Sequence, residues 1–444
     1  HVSDIGGTKD SLHAREIYEE GLQIPPMKLF DAGVPNQTLI DLIRKNVRNG
    51  DQVLGDLFSF VAANKLGAER LDAFMHDYGM HDLGALAEVV QGLSEKAMRD
   101  AIRALPDGEY RSVISNNPLG DKLSYPVLVK VAGDTITVDF DGAPPQLPQG
   151  GLNATLNYTA AHATYPLKCM LTPTVRGNAG CYRAFTVKAP EGSILNPTYP
   201  AAVNLRTRTG WYIAPNIFMA LAKAAPDMVQ SFTGLAVAAN VYGMGADGQY
   251  YSDLLFCGGG QGGSDRKDGH SSLLWPTSAA NTSIELMESR VPVLVLEKAF
   301  LADSGGAGRH RGGLGQVVRF RKRDDDGLEM LVSVYPEGVD NPIPGLSGGQ
   351  AGGGARGLVQ GADGRLVRDC GTGALVSLHN TSQIIELVLG GGSGFGDPDE
   401  RDHAAVARDL ALGFITAEHA RQHYGSKAVP AGHEAEPQPT TVWA

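Results

Sequence analysis

Glycine clusters constrain this chain more than any other feature of its sequence. Four runs, Gly258–Gly263, Gly305–Gly315, Gly348–Gly354 and Gly390–Gly396, hold many of its 57 glycines in 444 residues. That is roughly 13%, against an ordinary ~7%. Such runs serve either tight turns in a β-rich domain or a backbone brought close to a ligand or to another chain. No three-residue repeat runs through the sequence, so a collagen-type chain is excluded.

The apolar pattern places these runs. Residues 36–105 read as helical, with Asn36 or Thr38 as a cap before Leu39, Ile40, Leu42 and Ile43. Val53, Leu54, Leu57, Phe58, Phe60 and Val61 continue at helical spacing, as do Leu83, Leu86, Val89, Val90, Leu93 and Met98. A helical hairpin or small bundle is expected there. From Tyr110 the period shortens. Ser112–Ser115, Pro126–Val131, Thr135–Phe140, Val229–Phe232, Tyr250–Phe256, Ile284–Glu288, Val293–Glu297, Gln316–Arg321, Met330–Val334 and Ile384–Leu389 read as strands. One helix, Thr209–Ala224, interrupts them, and two more, His403–Leu412 and Thr416–Tyr424, close the chain. The expected fold class is α+β, with mixed, largely antiparallel sheets, a helical insertion and Gly-rich turns. The expected organisation is a loop segment over 1–35, a helical region over 36–108, a β-rich core over 109–400, C-terminal helices over 401–425 and a polar tail over 426–444.

Composition excludes several functions. A net charge of -11 disfavours nucleic acid, because phosphate binding needs a basic footprint. No apolar run approaches the ~18 residues of a membrane helix. Cys169, Cys181, Cys257 and Cys370 form no CxxC pair, which argues against a cysteine zinc site and fits free thiols in the cytoplasm. No GxxxxGK[ST] loop occurs; Gly258–Gly263 spells GxGxxG, but the polar, charged Ser264–His270 follows it in place of the amphipathic helix that a dinucleotide loop needs, and Gly312–Gly315 does not fit that register.

The most pointed local feature is His1-Val-Ser-Asp4-Ile-Gly6-Gly7. A His and an Asp three residues apart can converge on one divalent ion, with two glycines folding the loop behind them. His13 is a candidate third ligand, and Glu20, in the Glu19-Glu20 pair, is a candidate catalytic carboxylate. His419 and His423 stand at a zinc-compatible spacing but lack the glutamate of HExxH, and His76 and His81 read as surface residues. The chain opens on His rather than Met, so either it is processed or a front segment is absent from this sequence.

The opening string, with Glu19-Glu-Gly-Leu-Gln-Ile-Pro-Pro26, resembles the hydantoinase B family. Asn46-Val-Arg48 with Gly55-Asp-Leu57, Asp139-Phe-Asp-Gly142, Gln149-Gly-Gly-Leu-Asn153, Pro190–Pro197 and Pro200–Val203 extend the likeness in chain order. So do Asp303–Gly315 and Gly390–Pro398, and the likeness spans residues 1 to 425. It implies the B-type subunit of an ATP-dependent enzyme that activates a carbonyl by phosphorylation, most simply to hydrolyse a hydantoin, 5-oxoproline or a lactam. Two alternatives are a subunit of an ATP-dependent ketone carboxylase and a scaffold that only docks the ATPase. It further implies an A-type ATPase partner holding ATP with Mg, and a manganese or zinc ion at His1 and Asp4. Members carry a long segment ahead of the His-x-x-Asp string, so part of the metal domain is expected to be missing. The loop between Gly7 and Glu19 also lacks the Pro-Gly-Ser of many hydantoinases, which leaves the substrate class open.

Overall fold

The computed structural model describes residues 13–47, 49–277, 279–426 and 429. Two compact units divide them. The first draws on residues up to Gly108, on Lys130–Val138 and on Pro145–Thr209; the second takes Glu109–Val129, Asp139–Pro144 and the chain from Gly210 onward. In chain order the main elements are α1 (Gln37–Asn46), α2 (Gly50–Asp77), α3 (Gly84–Arg103), β1 (Gly108–Asn116), β2 (Leu123–Ala132), β3 (Thr135–Asp139), α4 (Leu156–Leu171), β4 (Phe185–Lys188), α5 (Ile213–Leu221), β5 (Val237–Met244) and β6 (Tyr250–Cys257). There follow α6 (Ile284–Arg290), β7 (Val293–Phe300), β8 (Gln316–Lys322), β9 (Met330–Tyr335), β10 (Arg356–Gly361), β11 (Leu366–Asp369), β12 (Ala374–Leu378), β13 (Gln383–Val388), α7 (His403–Ala411) and α8 (Ala417–Tyr424). The α+β class is as expected.

In the first unit, Asn36 caps α1 by accepting the Leu39 N–H. The apolar face of α1, Leu39, Ile40 and Ile43, closes on Leu54 of α2. Of the expected helical hairpin or small bundle, α1 and α2 pack on each other. α3 turns instead to the 3-10 turn Ala179–Tyr182 and to α4. There a Cβ on Gly180 would lie 2.0 Å from the Gln91 carbonyl, and Arg183 reaches Glu95 and Gln91 at 3.1 and 2.6 Å. The apolar pattern gives no sign of α4. This helix holds Pro166 in its interior, which reads as a helix breaker, yet Ala163, Pro166, Leu167 and Met170 are buried and packing outweighs the lost bond.

In the second unit, β11-β10-β13-β8-β7 form one sheet and β12-β9-β5-β6 another. Their pairs are antiparallel. Alternate residues of both sheets, among them Val237, Ala239, Val241, Val318, Phe320, Met330, Val332, Ile385 and Leu387, belong to one buried cluster, so the sheets face each other. Two expected strands are corrected here. Ile284–Glu288 is the start of helix α6, because Ser283 caps it through the Leu286 N–H and Glu285 occupies its first turn. Such a short apolar run is ambiguous by period alone. Val229–Phe232 is extended but joins no ladder: Ser231 donates to Gly263 and Phe232 accepts from Ser393.

The glycine runs explain that exception. They do not serve mainly as turns. They lie side by side as extended backbone within the second unit. Along the last run, the N–H of Gly391 goes to Gly353, Gly392 to Gly313, Ser393 to Phe232, Gly394 to Gln350 and Phe395 to His310. The donors therefore address three neighbouring segments in rotation, with the three-residue period of a polyproline-II-like helix. Side chains have no room between the segments. A Cβ on Gly312 would lie 1.8 Å from the Gly392 carbonyl oxygen, and one on Gly391 would lie 1.8 Å from that of Ser304. The three-residue period is in the hydrogen bonding and not in the sequence.

Charges from the Asp303–Gly315 string fasten this bundle to the C-terminal helices. Arg401 holds Asp268 through two bonds of 2.8 Å and Asp409 at 2.6 Å, while Arg311 meets Asp409 at 3.1 Å. Arg311, Arg401 and Asp409 are buried, and such charges are tolerated there only as partners. Burial works to raise the Asp268 carboxyl, but the bonds and charge of Arg401 bring it below its ordinary value. Asp303 accepts the Thr416 N–H at 2.7 Å and its hydroxyl at 2.9 Å, which fixes the start of α8.

Candidate functional site

The chain that follows the His-x-x-Asp string is tied into the first unit residue by residue. Ala14 is buried, and its carbonyl accepts the Gly150 N–H at 2.8 Å. Glu16 bridges to Ala201, and Ile17 donates to the Pro200 carbonyl at 2.9 Å. Tyr18 and Tyr199 pair through their hydroxyls. A short 3-10 turn, Ile17–Glu19, is closed by Glu19 accepting the Arg15 N–H at 2.8 Å.

Glu20 then makes the central contact. One oxygen of its carboxylate accepts the backbone N–H groups of Val203 and Asn204, at 2.6 and 2.7 Å. Gly151 lies against this junction with φ +64°. A Cβ there would lie 3.2 Å from the Asn204 and Leu205 nitrogens and 3.3 Å from the Glu20 carboxylate, so the left-handed conformation and the close approach both call for glycine. The buried Asn153 completes the stitching. Its amide donates to the Leu147 and Ala202 carbonyls, both at 3.0 Å, and accepts the Leu147 N–H at 2.8 Å. The Gln149–Asn153 and Pro200–Val203 strings thus meet around the segment that contains Glu20.

Electrostatics at the junction are finely opposed. Burial pushes the Glu20 carboxyl up, against the two backbone donors and the charge of Arg206, and the net displacement is upward. The Arg206 guanidinium lies 5.3 Å from the centre of the Tyr158 ring, and that ring is tilted against His162 at 4.4 Å. Burial raises the Tyr158 hydroxyl, while Arg206 opposes the rise. The sequence alone does not single out Arg206, Tyr158 or His162, because two come from a helix its pattern hides and none lies in a motif.

His1 and Asp4 lie outside the described residues, as do residues 430–444 of the expected tail. His13 begins the described chain and is exposed. Among the described residues, no three His, Cys, Asp or Glu side chains are placed to hold a metal ion. His419 and His423 stack at 4.3 Å on α8, and His419 sits 3.7 Å from Asp303. All four cysteines are free, and no described helix is long and apolar enough to cross a membrane.

Comparison with known proteins gives five findings. The family described as hydantoinase B/oxoprolinase matches residues 1–398. The chain is 32% identical to the B-type subunit of a putative D-/L-hydantoinase of Pseudomonas sp. strain NS671, across 96% of this chain and 74% of that protein. It is 29% identical to the beta chain of caprolactamase of Pseudomonas jessenii, across 96% and 75%. Its structure superposes on that of the ATP-dependent caprolactamase from the same organism with a TM-score of 0.86 and 26% identity, covering 98% of this chain and 77% of the other. An acetone carboxylase structure shares the fold, with a TM-score of 0.79 at 17% identity, covering 96% and 63%.

Proposed function

Because the chain belongs to the hydantoinase B/oxoprolinase family, we propose that it is the B-type subunit of an ATP-dependent enzyme that hydrolyses a cyclic amide such as a hydantoin, 5-oxoproline or a lactam. One observation carries this reading. Two relatives that the chain matches over 74% and 75% of their length are named for a hydantoinase and a caprolactamase, and both names denote cyclic amides. An amide carbonyl is a poor electrophile. Transfer of the terminal phosphoryl group of ATP to its oxygen releases ADP and makes that oxygen a leaving group. Water then adds to the carbon, the ring C–N bond opens with the amine as leaving group to give an acyl phosphate, and a second water releases phosphate and the carboxylate. Such a scheme needs positioned charge where the oxygen becomes negative. An A-type ATPase partner supplies ATP with Mg, a division supported by the absence of a GxxxxGK[ST] loop from this sequence.

In this reading His1 and Asp4 hold a manganese or zinc ion, with His13 as the candidate third ligand. A mixed nitrogen and oxygen donor set without thiolate suits those ions. Once bound, such an ion acts as a Lewis acid toward the carbonyl oxygen. Glu20 acts on the fold, holding Val203 and Asn204 in place. Four free cysteines agree with a reducing cytoplasm.

The test is co-expression with the natural partner, followed by ATP turnover against a panel of cyclic amides and ketones. Turnover with a cyclic amide and without bicarbonate is expected; turnover only with a ketone and bicarbonate would replace this reading. Elemental analysis of wild type and Asp4→Ala accompanies it. A loss of at least ~10–100-fold in metal affinity or activity is expected, and equal metal content with equal turnover would remove the metal assignment.

A further inference from the structure

Arg206 differs from other arginines of its unit. In a chain with 49 acidic and 38 basic residues, carboxylate partners are plentiful. Arg44 pairs with Asp51, Arg99 with Glu95, Arg103 with Asp134 and Arg183 with Glu95. Arg206 lies within ion-pair distance of no carboxylate among the described residues. Glu20 is close enough for the two charges to act on each other, but that carboxylate is bonded to the Val203 and Asn204 N–H groups instead. One Arg206 nitrogen donates to the Val203 carbonyl at 3.2 Å, and the guanidinium lies over the Tyr158 ring. Both side chains are half-buried. Among the described residues, the other guanidinium nitrogens and the Tyr158 hydroxyl have no hydrogen-bond partner.

Both groups are held in position. Val203 is gripped twice, its N–H by Glu20 and its carbonyl by Arg206. Tyr158 stands one turn before His162 on α4, and their rings tilt together at 4.4 Å. A half-buried guanidinium without a counter-ion in contact is completed by an oxyanion. Its planar fork offers parallel N–H groups that match the two oxygens of a carboxylate. The Tyr158 hydroxyl adds another donor. The negative charge of Glu20 nearby favours a monoanion over a phosphate dianion.

We propose that Arg206 and Tyr158 form a carboxylate subsite, so that the cyclic amide this chain takes carries an acidic group beside its ring. The inference rests on the reading that the substrate is a cyclic amide, and it narrows that class to anionic members, such as 5-oxoproline or a hydantoin with an acidic side chain. A neutral lactam leaves the guanidinium without a counter-ion and binds more weakly.

The experiment uses the full chain with its natural partner. The probes are 5-oxoproline and hydantoin-5-acetate, each beside its neutral carboxamide, and inorganic phosphate. The better acid should exceed its carboxamide in kcat/KM by at least ~10-fold, as hydrogen bonds to a charged group imply. Arg206→Met should erase that preference, chiefly through KM. Arg206→Lys, which keeps the charge without the fork, should retain only part of it. Tyr158→Phe, which keeps the ring against His162 and so should stay folded by circular dichroism, should reduce it. A wild type that takes the carboxamides as readily as the acids overturns the proposal, as does a preference that survives in folded Arg206→Met. Competition by inorganic phosphate that vanishes in Arg206→Met also overturns it, because the subsite then serves a phosphoryl group. If no cyclic amide is turned over, the proposed reaction fails, and calorimetry with the same pairs judges the subsite by itself. Tighter binding of an acid to wild type than to Arg206→Met supports it, and equal binding overturns it.

Discussion

Gly312→Ala tests the glycine bundle most directly. The added methyl carbon would lie 1.8 Å from the carbonyl oxygen of Gly392 and 2.4 Å from its carbon. Ordinary contact needs more than 3 Å, so one segment must move by over an ångström. Neither is free to do so. The Gly392 carbonyl accepts the Gly306 N–H at 2.8 Å, the Gly392 N–H goes to Gly313 at 2.9 Å, and Gly312 donates to Gly306 at 3.0 Å. A shift of that size breaks about three backbone bonds worth ~1 kcal/mol each and adds ~1–3 kcal/mol of overpacking, for about 4–6 kcal/mol in all. That is a large part of the ~5–15 kcal/mol that holds an ordinary domain. Gly55→Ala is the control. It lies in α2, a Cβ there meets nothing within 4 Å, and the helix should gain up to ~1 kcal/mol. Urea unfolding of the three proteins, with m compared to check that the unfolded state is unchanged, measures both effects. A Gly312→Ala loss below ~1 kcal/mol would refute the reasoning, since it would mean that the segments are loosely apposed.

Three further expectations follow from the charges. Asp409→Asn leaves Arg311 and Arg401 buried beside a weakened partner and should cost about 3–5 kcal/mol, read by the same unfolding assay. Asp268 has a folded pKa below its ordinary value. Its stabilisation is therefore complete above the unfolded carboxylate pKa of ~3.9 and drains as pH falls through the folded value; acid titration should show Asp268→Asn with a shallower loss of stability below pH ~4 than wild type. At the loop junction, Glu20→Ala strips the acceptor from the Val203 and Asn204 N–H groups and should cost roughly 1–3 kcal/mol, whereas Glu20→Gln, which keeps an oxygen there, should lose clearly less.

Local sequence was enough for α1, α2 and α3, for most strands of the facing sheets and for the C-terminal helices. Asn36 caps α1, Thr416 caps α8, and Val318 and Phe320 of β8 turn inward, whereas β5, β10, β11 and β12 are not read from the sequence. The local signals misled at Ile284–Glu288, where five residues cannot separate strand from helix, and they gave no sign of α4, which carries Pro166 in its interior. The motif strings were legible as a family likeness, but what their residues do was not. Gln149–Asn153 and Pro200–Val203 lie about fifty positions apart, and only the fold brings both to Glu20. Arg311 and Arg401 look like surface charges until Asp268 and Asp409 enclose them. The glycine runs are the clearest case. Their density announces that backbone must come close to something, because only glycine leaves the space. Which backbone, and in what rotation, depends on hydrogen bonds between segments dozens of residues apart, and no local pattern carries that information.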